Sequence, residues 1–498
     1  MSVSSYTPIT HSLSPIQANK RVTALTVTCA IALLIVAFFS VRPTGASGPA
    51  MRDFEAFYAA GAAANAGADP YSRSIWRFER AIPGVDGSHD ETLPFVGPPA
   101  VLPLWRVLAL LPYGLAGRSW GAVLACAMLV MVFGTLTLAR APHEASIVLG
   151  ATIFAASFGA LISDVSLGQV ALLSAAAIVA TLLLLRSRAW PAAAITTVVG
   201  AFQPNMCLVL IARLGDMRAS IAFAIGAVVF FGLMFAFGGI DATGRYLHLL
   251  AVHGAAERHT VIQITPASVA LGWGASDAAS TAVRLLSALA ALGLGTVAMR
   301  RTREPIARVG FAACMLPFVV PFFHEHDFVL LVLPALYCAL RARGSTLALA
   351  AVASVSCSID WLGLAQRVGA QPQSLMLALA ATLGIALLAR LRRETSLALL
   401  VPAALIAVCL LARTHPVPIW PDALPLHWHG PPGASVSALW ELEQRTAGLE
   451  AQDPVWSFLR LLPLFSDALL GFALYRTLMD VDVHEISERL EQVRVETV

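Results

Sequence analysis

The chain has 498 residues, of which 58% are hydrophobic and only 13% are charged. Soluble domains carry roughly 25% charged residues, so this chain has too little polar surface for an aqueous globule. The formal net charge of +3 is too small to indicate a nucleic-acid partner. We therefore expect an all-α, polytopic membrane protein.

The N-terminal apolar run, residues 22–41, follows Lys20 and Arg21. Its length suits a spanning helix of about 20 residues better than a cleaved signal of roughly 7–15 apolar residues. We predict that it anchors the chain and delivers residues 43–95 to the outer face. The next apolar segment, 96–115, contains four prolines, which a straight spanning helix does not tolerate. We expect this segment to be surface-lying or re-entrant.

Arginines at the ends of later apolar segments predict further spans and their orientation. The predicted spans cover residues 120–138, 146–162, 170–185, 221–237, 282–299, 309–320, 328–340, 346–359, 375–388, 396–411 and 455–478. With the first anchor this gives about 12 spans. Outer loops are expected at 163–169, 240–277 and 412–454.

The apolar segment 190–212 has arginines at both ends, at Arg186, Arg188, Arg213 and Arg218. Both ends therefore favour the cytoplasm, which predicts a broken, re-entrant hairpin with its break at Gln203-Pro204-Asn205. Irregular backbone at membrane depth is tolerated where it lines a protein cavity or water. The alternative interpretation is an ordinary kinked helix of the other orientation.

The first outer loop contains the segment from Arg52 to Tyr58, which predicts a short helix opened by Asp53. In one interpretation Asp53 is an N-cap that accepts the first backbone N–H groups. Phe54, Tyr58 and Gly61 would share one face of this helix. The residues alone leave open whether Asp53 is a cap or a reactive carboxylate.

Several short motifs follow one another along residues 53–335. They comprise Asp53 and Tyr58, then Gly67, Pro70 and Tyr71, then Phe95, Pro98 and Pro99, then Leu167-Gly168-Gln169, Gln203-Pro204 and Pro321-Phe322-Phe323-His324-Glu325-His326. Their order and spacing resemble glycosyltransferase family 87, GT-C-class enzymes that include polyprenyl-phosphate-mannose-dependent alpha-(1->2)-mannosyltransferases. Two positions depart from that pattern, because Gln203 replaces a lysine and Phe323 precedes His324 without the usual tryptophan.

The resemblance implies a fold of GT-C type, with outer-face juxtamembrane helices and a catalytic outer loop. It implies an inverting transfer of a hexose, in family members often mannose, from a polyprenyl-phosphate donor to a glycolipid or an envelope glycan. Asp53 would be the catalytic base. Substrate-binding candidates are Tyr58, Gln169, Gln203, His324, His326 and Arg258. Arg106 and His259 are further basic candidates for the leaving phosphate.

The resemblance calls for no cofactor, and we predict no metal site. The pairs His324/His326 and His427/His429 lack the spacing of established metal motifs. The expected partners are the lipid-linked donor, the acceptor and membrane lipids. Two other functions stay open: a transporter or flippase of lipid-linked sugars, and a non-catalytic GT-C-like scaffold.

We divide the chain into a cytoplasmic N-terminus with the first span (1–42), a catalytic outer loop (43–119), a transmembrane core (120–340), a C-terminal transmembrane part with its outer loop (341–478) and a cytoplasmic tail (479–498). Lys20 is the only lysine, and alanine and arginine are frequent. This composition suggests a GC-rich bacterial genome. We therefore expect a multi-pass protein of the bacterial plasma (inner) membrane, with its active site facing outward.

Overall fold

The computed structural model describes residues 51–86, 90–142, 144–366, 370–450 and 453–496. Within these ranges the chain forms helices and irregular connections, and none of the described residues is in a strand. The predicted all-α class is confirmed for this part of the chain. The predicted first span, residues 22–41, lies outside the described residues.

The first half of the described chain contains ten α-helices, several of them short. They are α1 (Arg52–Asn65), α2 (Trp76–Glu79), α3 (Leu102–Leu108), α4 (Tyr113–Leu138), α5 (Ala145–Ala156), α6 (Gly159–Leu167), α7 (Ala171–Arg186), α8 (Trp190–Gly200), α9 (Pro204–Cys207) and α10 (Met217–Ala256). Turns of 3-10 helix cover Arg73–Ile75, Pro99–Val101, Leu208–Arg213 and Glu257–His259.

The second half continues with eleven α-helices in its described residues. They are α11 (Pro266–Gly272), α12 (Asp277–Arg300), α13 (Pro305–Val319), α14 (Val332–Arg341), α15 (Gly344–Cys357), α16 (Trp361–Gln366), α17 (Ala370–Leu388), α18 (Leu400–Thr414), α19 (Val436–Thr446), α20 (Pro454–Leu459) and α21 (Leu461–Glu496). Turns of 3-10 helix precede α14 at Glu325–Leu331 and α18 at Arg393–Leu399.

Six helical segments of the described chain are long and apolar enough to cross a membrane. They are Tyr113–Leu138, Met217–His259, Asp277–Arg300, Ala370–Leu388, Arg393–Thr414 and Pro454–Asp480, and the bent pair α5–α6 raises the count to seven at most. The predicted count of about 12 is not confirmed. Several predicted spans, such as α7 and α13, are helices of only 10–17 residues. At 1.5 Å per residue, such helices are shorter than the roughly 30 Å hydrocarbon layer.

Three predicted segments differ from the structure. Residues 146–162 are not one straight span, because α5 and α6 meet at an angle of 58°. The predicted outer loop at 163–169 is largely the last turn of α6, and Asp164 within it is fully buried. Much of the predicted loop 240–277 is the second half of α10. Gly239, with a φ of 65°, is non-helical and separates the two helical halves of α10 by a kink. Only a residue lacking Cβ adopts this conformation at little cost.

A helix break is present beside the predicted position, at residues 201–203, whereas Pro204 and Asn205 belong to the next helix; the re-entrant path stays a prediction. Helix α8 ends at Gly200, and α9 begins at Pro204, whose ring can occupy the first turn of a helix but not its interior. The backbone N–H of Gln203 donates to the Ser174 hydroxyl of α7 at 3.1 Å. The irregular segment is thus held by a neighbouring helix, as a break within an apolar protein requires.

Helix α1 is buried against α3 and α4. Gly61 allows the closest approach, since a Cβ there would stand 2.2 Å from the carbonyl oxygen of Trp105. Phe57 stacks on Trp105 with ring centroids 4.8 Å apart, and Phe54 stacks on Trp120 at 6.4 Å. These aromatic contacts fix the position and rotation of α1, which determines where Asp53 points.

Candidate functional site

The described part of the chain contains a cavity of about 1150 Å³. Its walls come from α1, the end of α6, the break before α9, the second half of α10, the start of α12 and the loop after α13. Six of the seven predicted site residues line it. They are Asp53, Gln169, Gln203, Arg258, His324 and His326. Residues that are far apart in the chain are therefore brought to one space.

Asp53 lies at the wall of this cavity and is not the helix cap that the sequence suggested. Helix α1 begins one residue earlier, and its N-cap position is Met51, whose φ is 59°. The Asp53 carboxylate is therefore free to interact elsewhere, and its Oδ2 accepts a hydrogen bond from Gln169 Nε2 at 2.6 Å. Asp53 thus presents a carboxylate to the cavity and not to its own backbone.

Burial raises the pKa of Asp53 to about 6. The hydrogen bond from Gln169 and the positive charge of His324 act in the opposite direction and limit this rise. A carboxylate with such a pKa is ionised at neutral pH, yet it accepts a proton more readily than an exposed aspartate. This is the property that general-base catalysis requires.

The motif Leu167-Gly168-Gln169 has a structural role that explains its glycine. Gly168 ends α6 in the left-handed conformation with a φ of 75°, and its carbonyl accepts the Trp120 indole N–H at 2.8 Å. A Cβ at Gly168 would stand 2.7 Å from Cβ of Phe54. A glycine is therefore required for α6 to end against α1, which places the Gln169 amide on Asp53.

His324 faces the cavity from the loop after α13. Its Nε2 lies 3.0 Å from Glu257 Oε2, and Gln263 Nε2 lies 3.0 Å from the same ring nitrogen. Burial by itself lowers the pKa of His324, but the hydrogen bond to Glu257 and the charge of that carboxylate outweigh it, so the pKa is raised. Compared with a free imidazole, His324 is therefore shifted towards the imidazolium form, which would supply positive charge to the cavity.

Glu257 is the centre of a buried polar network. It is 2% exposed, and besides His324 it contacts His253, whose Nε2 lies 3.1 Å from Oε1, and Trp440, whose Nε1 donates at 2.8 Å. Gln263 Nε2 donates to it at 3.3 Å. A buried carboxylate needs such partners. Since Glu257 and Gln263 both contact Nε2 of His324, they hold its ring in one orientation.

His326 lies next to His324, with ring centroids 5.3 Å apart. Burial lowers its pKa to about 4, so the ring is neutral at physiological pH. Among the described residues its Nδ1 has no hydrogen-bond partner although the atom is buried. The two histidines therefore offer different chemistry, since one is predisposed to be charged and the other neutral.

Gln203 contacts the same loop through Asp327, a residue that is 1% exposed. Gln203 Nε2 donates to Asp327 Oδ1 at 3.0 Å, and Asn205 Nδ2 donates to Oδ2 at 3.0 Å. The backbone N–H of His324 also donates to Oδ2, at 3.2 Å. The break before α9 thus fixes the start of the histidine loop, and a lysine at position 203 would face a carboxylate.

Two arginines line the cavity near α10 and α12. Arg258 donates to Asp277 Oδ2 at 3.2 Å and to His259 Nε2 at 3.1 Å. Arg284 is half-buried on α12, and its guanidinium makes no hydrogen bond or ion pair with any other described residue. These side chains give the cavity positive charge beyond that of His324.

Among the seven predicted site residues Tyr58 alone does not line the cavity, and the further basic candidates Arg106 and His259 do not line it either. The hydroxyl of Tyr58 donates to the carbonyl of Leu111 at 2.8 Å, and its ring packs edge-on against Tyr113 at 5.2 Å. It therefore joins α1 to the turn before α4. Its position supports the rotation of α1 and not contact with a substrate.

Sequence reasoning missed Glu257, Asp327 and Arg284. Glu257 follows His253 by four positions, a spacing that places both on one helix face. Arg284 is a charge inside a predicted span, and intramembrane charges commonly mark functional sites. Those two signals were present in the sequence, whereas the role of Asp327 depends on contacts with residues more than 120 positions away.

Residues 95–334 match the family model described as glycosyltransferase family 87. Comparisons with curated proteins and with solved structures returned no match. Gln169, Gln203, Arg258, His324 and His326 lie within the matched residues, whereas Asp53 and Tyr58 precede them. The long apolar helices and the family match both indicate a membrane protein. Residues 95–334, just under half of the chain, are thus similar to glycosyltransferase family 87, and together with the apolar helices this match indicates a multi-pass membrane glycosyltransferase.

Proposed function

We propose that the protein is an inverting transferase that moves a hexose, with mannose as the leading candidate, from a polyprenyl-phosphate donor to a glycolipid or envelope glycan. The observation that carries this proposal is the pairing of Asp53 with Gln169 at 2.6 Å in a cavity that also contains His324. A proton acceptor and a positively charged group then face one space, as displacement of a phosphate requires.

In this mechanism Asp53 removes the proton from an acceptor hydroxyl. The acceptor oxygen then attacks the anomeric carbon of the donor sugar, and the bond between that carbon and the phosphate oxygen breaks. The phosphate leaves with the bonding electrons, and Asp53 later releases its proton to water. A single displacement inverts the anomeric configuration, and base assistance contributes about 10²–10⁴ to the rate.

The departing phosphate carries negative charge that the protein must stabilise. His324, whose charged form is favoured by Glu257, is the first candidate, and Arg258 and Arg284 also line the cavity. Guanidinium groups bind phosphate oxygens well. Gln203 is engaged by Asp327, which supports a positioning role for it in place of direct charge neutralisation.

A lipid donor also accounts for the apolar side of the cavity. Leu247 and Leu250 of α10 line it while being 56% and 42% exposed, and Leu285 of α12, next to Arg284, is 55% exposed. A polyprenyl tail can lie in the bilayer against such residues while its sugar phosphate enters the cavity. The arginines that flank the apolar segments support an outward-facing site in a bacterial plasma membrane.

The test is sugar transfer by the purified full-length protein in proteoliposomes. Polyprenyl-phosphate-mannose and polyprenyl-phosphate-glucose, each with a radiolabelled sugar, are supplied separately with a bacterial glycolipid extract. We expect label in a new product from one of them, with an anomeric configuration opposite to that of the donor. Label that crosses the bilayer but stays on the donor lipid would indicate a transporter. Retention of configuration would contradict the single displacement.

A further inference from the structure

The cavity has a wall that comes from outside the family-matched segment. Residues of the loop after α18 and of helix α19 line it, although the family model ends at residue 334. We name this the C-terminal wall, which consists of Ile419, Trp420, Pro421, Asp422, Trp440, Gln444 and Leu449. The sequence predicts this segment only as part of an outer loop, residues 412–454.

Hydrogen bonds fix this wall beside the proposed catalytic groups. The indole of Trp440 donates to Glu257, which also holds His324. The indole of Trp420 donates to Glu443 Oε2 at 2.9 Å. The guanidinium of Arg52, the residue before Asp53, lies 4.6 Å from the centre of the Trp420 ring. The C-terminal wall therefore stands next to the Asp53 end of the cavity.

Gln444 carries an unused hydrogen-bond acceptor. The residue is 1% exposed and lines the cavity, yet its Oε1 has no hydrogen-bond partner among the described residues. Buried polar atoms of proteins are normally paired, and this unpaired oxygen belongs to a residue of the cavity wall. Asp422, which is exposed, and Trp420, which is half-buried, line the same cavity.

Resting on the proposed function, we propose that Trp420, Asp422 and Gln444 form the subsite for the acceptor's hexopyranose ring. The apolar face of a pyranose packs on an indole, and its hydroxyls donate to a carboxylate and to an amide oxygen. The Asp422 carboxylate disfavours a phosphate in this position. The lipid-phosphate donor is therefore assigned to the side of Arg284, and the neutral acceptor sugar to the C-terminal wall.

This assignment separates two kinds of selectivity. Donor recognition belongs to residues of the family-matched segment, whereas acceptor recognition belongs to a loop beyond it. Trp440 acts as a positioning residue, because its hydrogen bond ends on Glu257 and not on the sugar. Exchanging the C-terminal wall should therefore change the acceptor without changing the donor.

The first test compares Gln444→Met and Asp422→Asn with wild type in proteoliposomes. The acceptor KM is measured, and so is the slow hydrolysis of the donor by water without acceptor. We expect the acceptor KM to rise about 3- to 10-fold in each variant, as for one lost hydrogen bond, with donor hydrolysis unchanged. Glu441→Gln is the matched control, since Glu441 lies on the same helix and pairs with Arg445 at 3.0 Å outside the cavity.

An unchanged acceptor KM in both variants would overturn the subsite. A parallel loss of donor hydrolysis would also overturn it, because the wall would then act on the donor or the base. A second test needs no turnover: tryptophan fluorescence is titrated with octyl α-mannoside and octyl α-glucoside in lipid nanodiscs. We expect saturable binding that weakens in Gln444→Met and not in Glu441→Gln. If wild type transfers no sugar, the proposed function fails, while absence of saturable binding rejects the subsite.

Discussion

The substitution Asp53→Asn removes the proposed base with little change of shape. The side chain is half-buried at the cavity wall and lies in the first turn of α1, where it makes no cap hydrogen bond. An asparagine can rotate its amide so that its oxygen still accepts from Gln169 Nε2, as the carboxylate does at 2.6 Å. The helix and its aromatic packing should therefore persist, and the effect should fall on the chemistry.

The magnitude follows from the role assigned to the carboxylate. Loss of general-base assistance lowers the rate by about 10²–10⁴. Donor binding should change little, because the phosphate is assigned to His324 and the arginines. We expect kcat to fall by at least about 100-fold with the donor KM within about threefold of wild type.

The pH profile supplies an independent signature of the same residue. Because burial raises the pKa of Asp53 to about 6, the wild-type carboxylate is ionised above that pH and protonated below it. The base is active only when ionised, so kcat/KM should increase with pH up to about 6 and then level off. At pH 5 it should be about a tenth of its plateau.

The assay measures transfer from the labelled lipid donor between pH 4.5 and 8 for wild type, Asp53→Asn and Asp53→Glu. The thermal unfolding of each variant is recorded to establish that it folds. Full activity of folded Asp53→Asn would refute the base assignment and direct attention to Glu55 or Asp164. An acid limb that persists unchanged in the residual activity of Asp53→Asn would show that another group titrates.

Three further predictions follow from contacts in the structure. Gln169→Leu removes the hydrogen bond that lowers the pKa of Asp53. The acid limb of the kcat/KM profile should therefore move to higher pH by about one pH unit. An unmoved acid limb would contradict this prediction. Gln203→Lys should keep kcat/KM within about threefold of wild type, because the ammonium can pair with Asp327. Gln203→Leu should lower kcat/KM about tenfold, because it removes a hydrogen-bond donor from that buried carboxylate. Equal activity of the two variants would refute the positioning role of Gln203. Gly61→Ala places a methyl group 2.2 Å from a backbone carbonyl oxygen and should destabilise the fold by about 1–3 kcal/mol. Gly114→Ala is the control, because a methyl group there meets open space and should leave the stability unchanged. Thermal unfolding followed by tryptophan fluorescence distinguishes the two variants.

The family assignment shows how far short motifs reach. The motifs from Phe95 to His326 fall within residues 95–334, where the family model matches. The motif from Asp53 to Tyr71 lies before that match, and its role in this chain rests on geometry. Asp53 gains its significance from Gln169, which is 116 positions away.

The break beside Gln203-Pro204-Asn205 was predictable for a local reason. Proline cannot continue a helix interior, and arginines at both ends of the segment constrain its path. Span boundaries were less predictable. Hydropathy detects apolar stretches of the chain, but it does not distinguish a straight span from two short helices packed inside the protein, as in α5 and α6.

The sequence by itself determined that this is an apolar membrane protein, that it is helical, which family its middle segment resembles, and six of the polar residues that line the cavity. Composition and local backbone chemistry are short-range properties, so they can be read along the chain. The tertiary structure decided that Asp53 faces Gln169 instead of capping its helix, and that Glu257 joins His324 to Trp440. It also decided that a loop beyond the family-matched segment lines the cavity. These contacts depend on how helices pack and rotate against one another, and packing is set by the three-dimensional fit of many side chains at once.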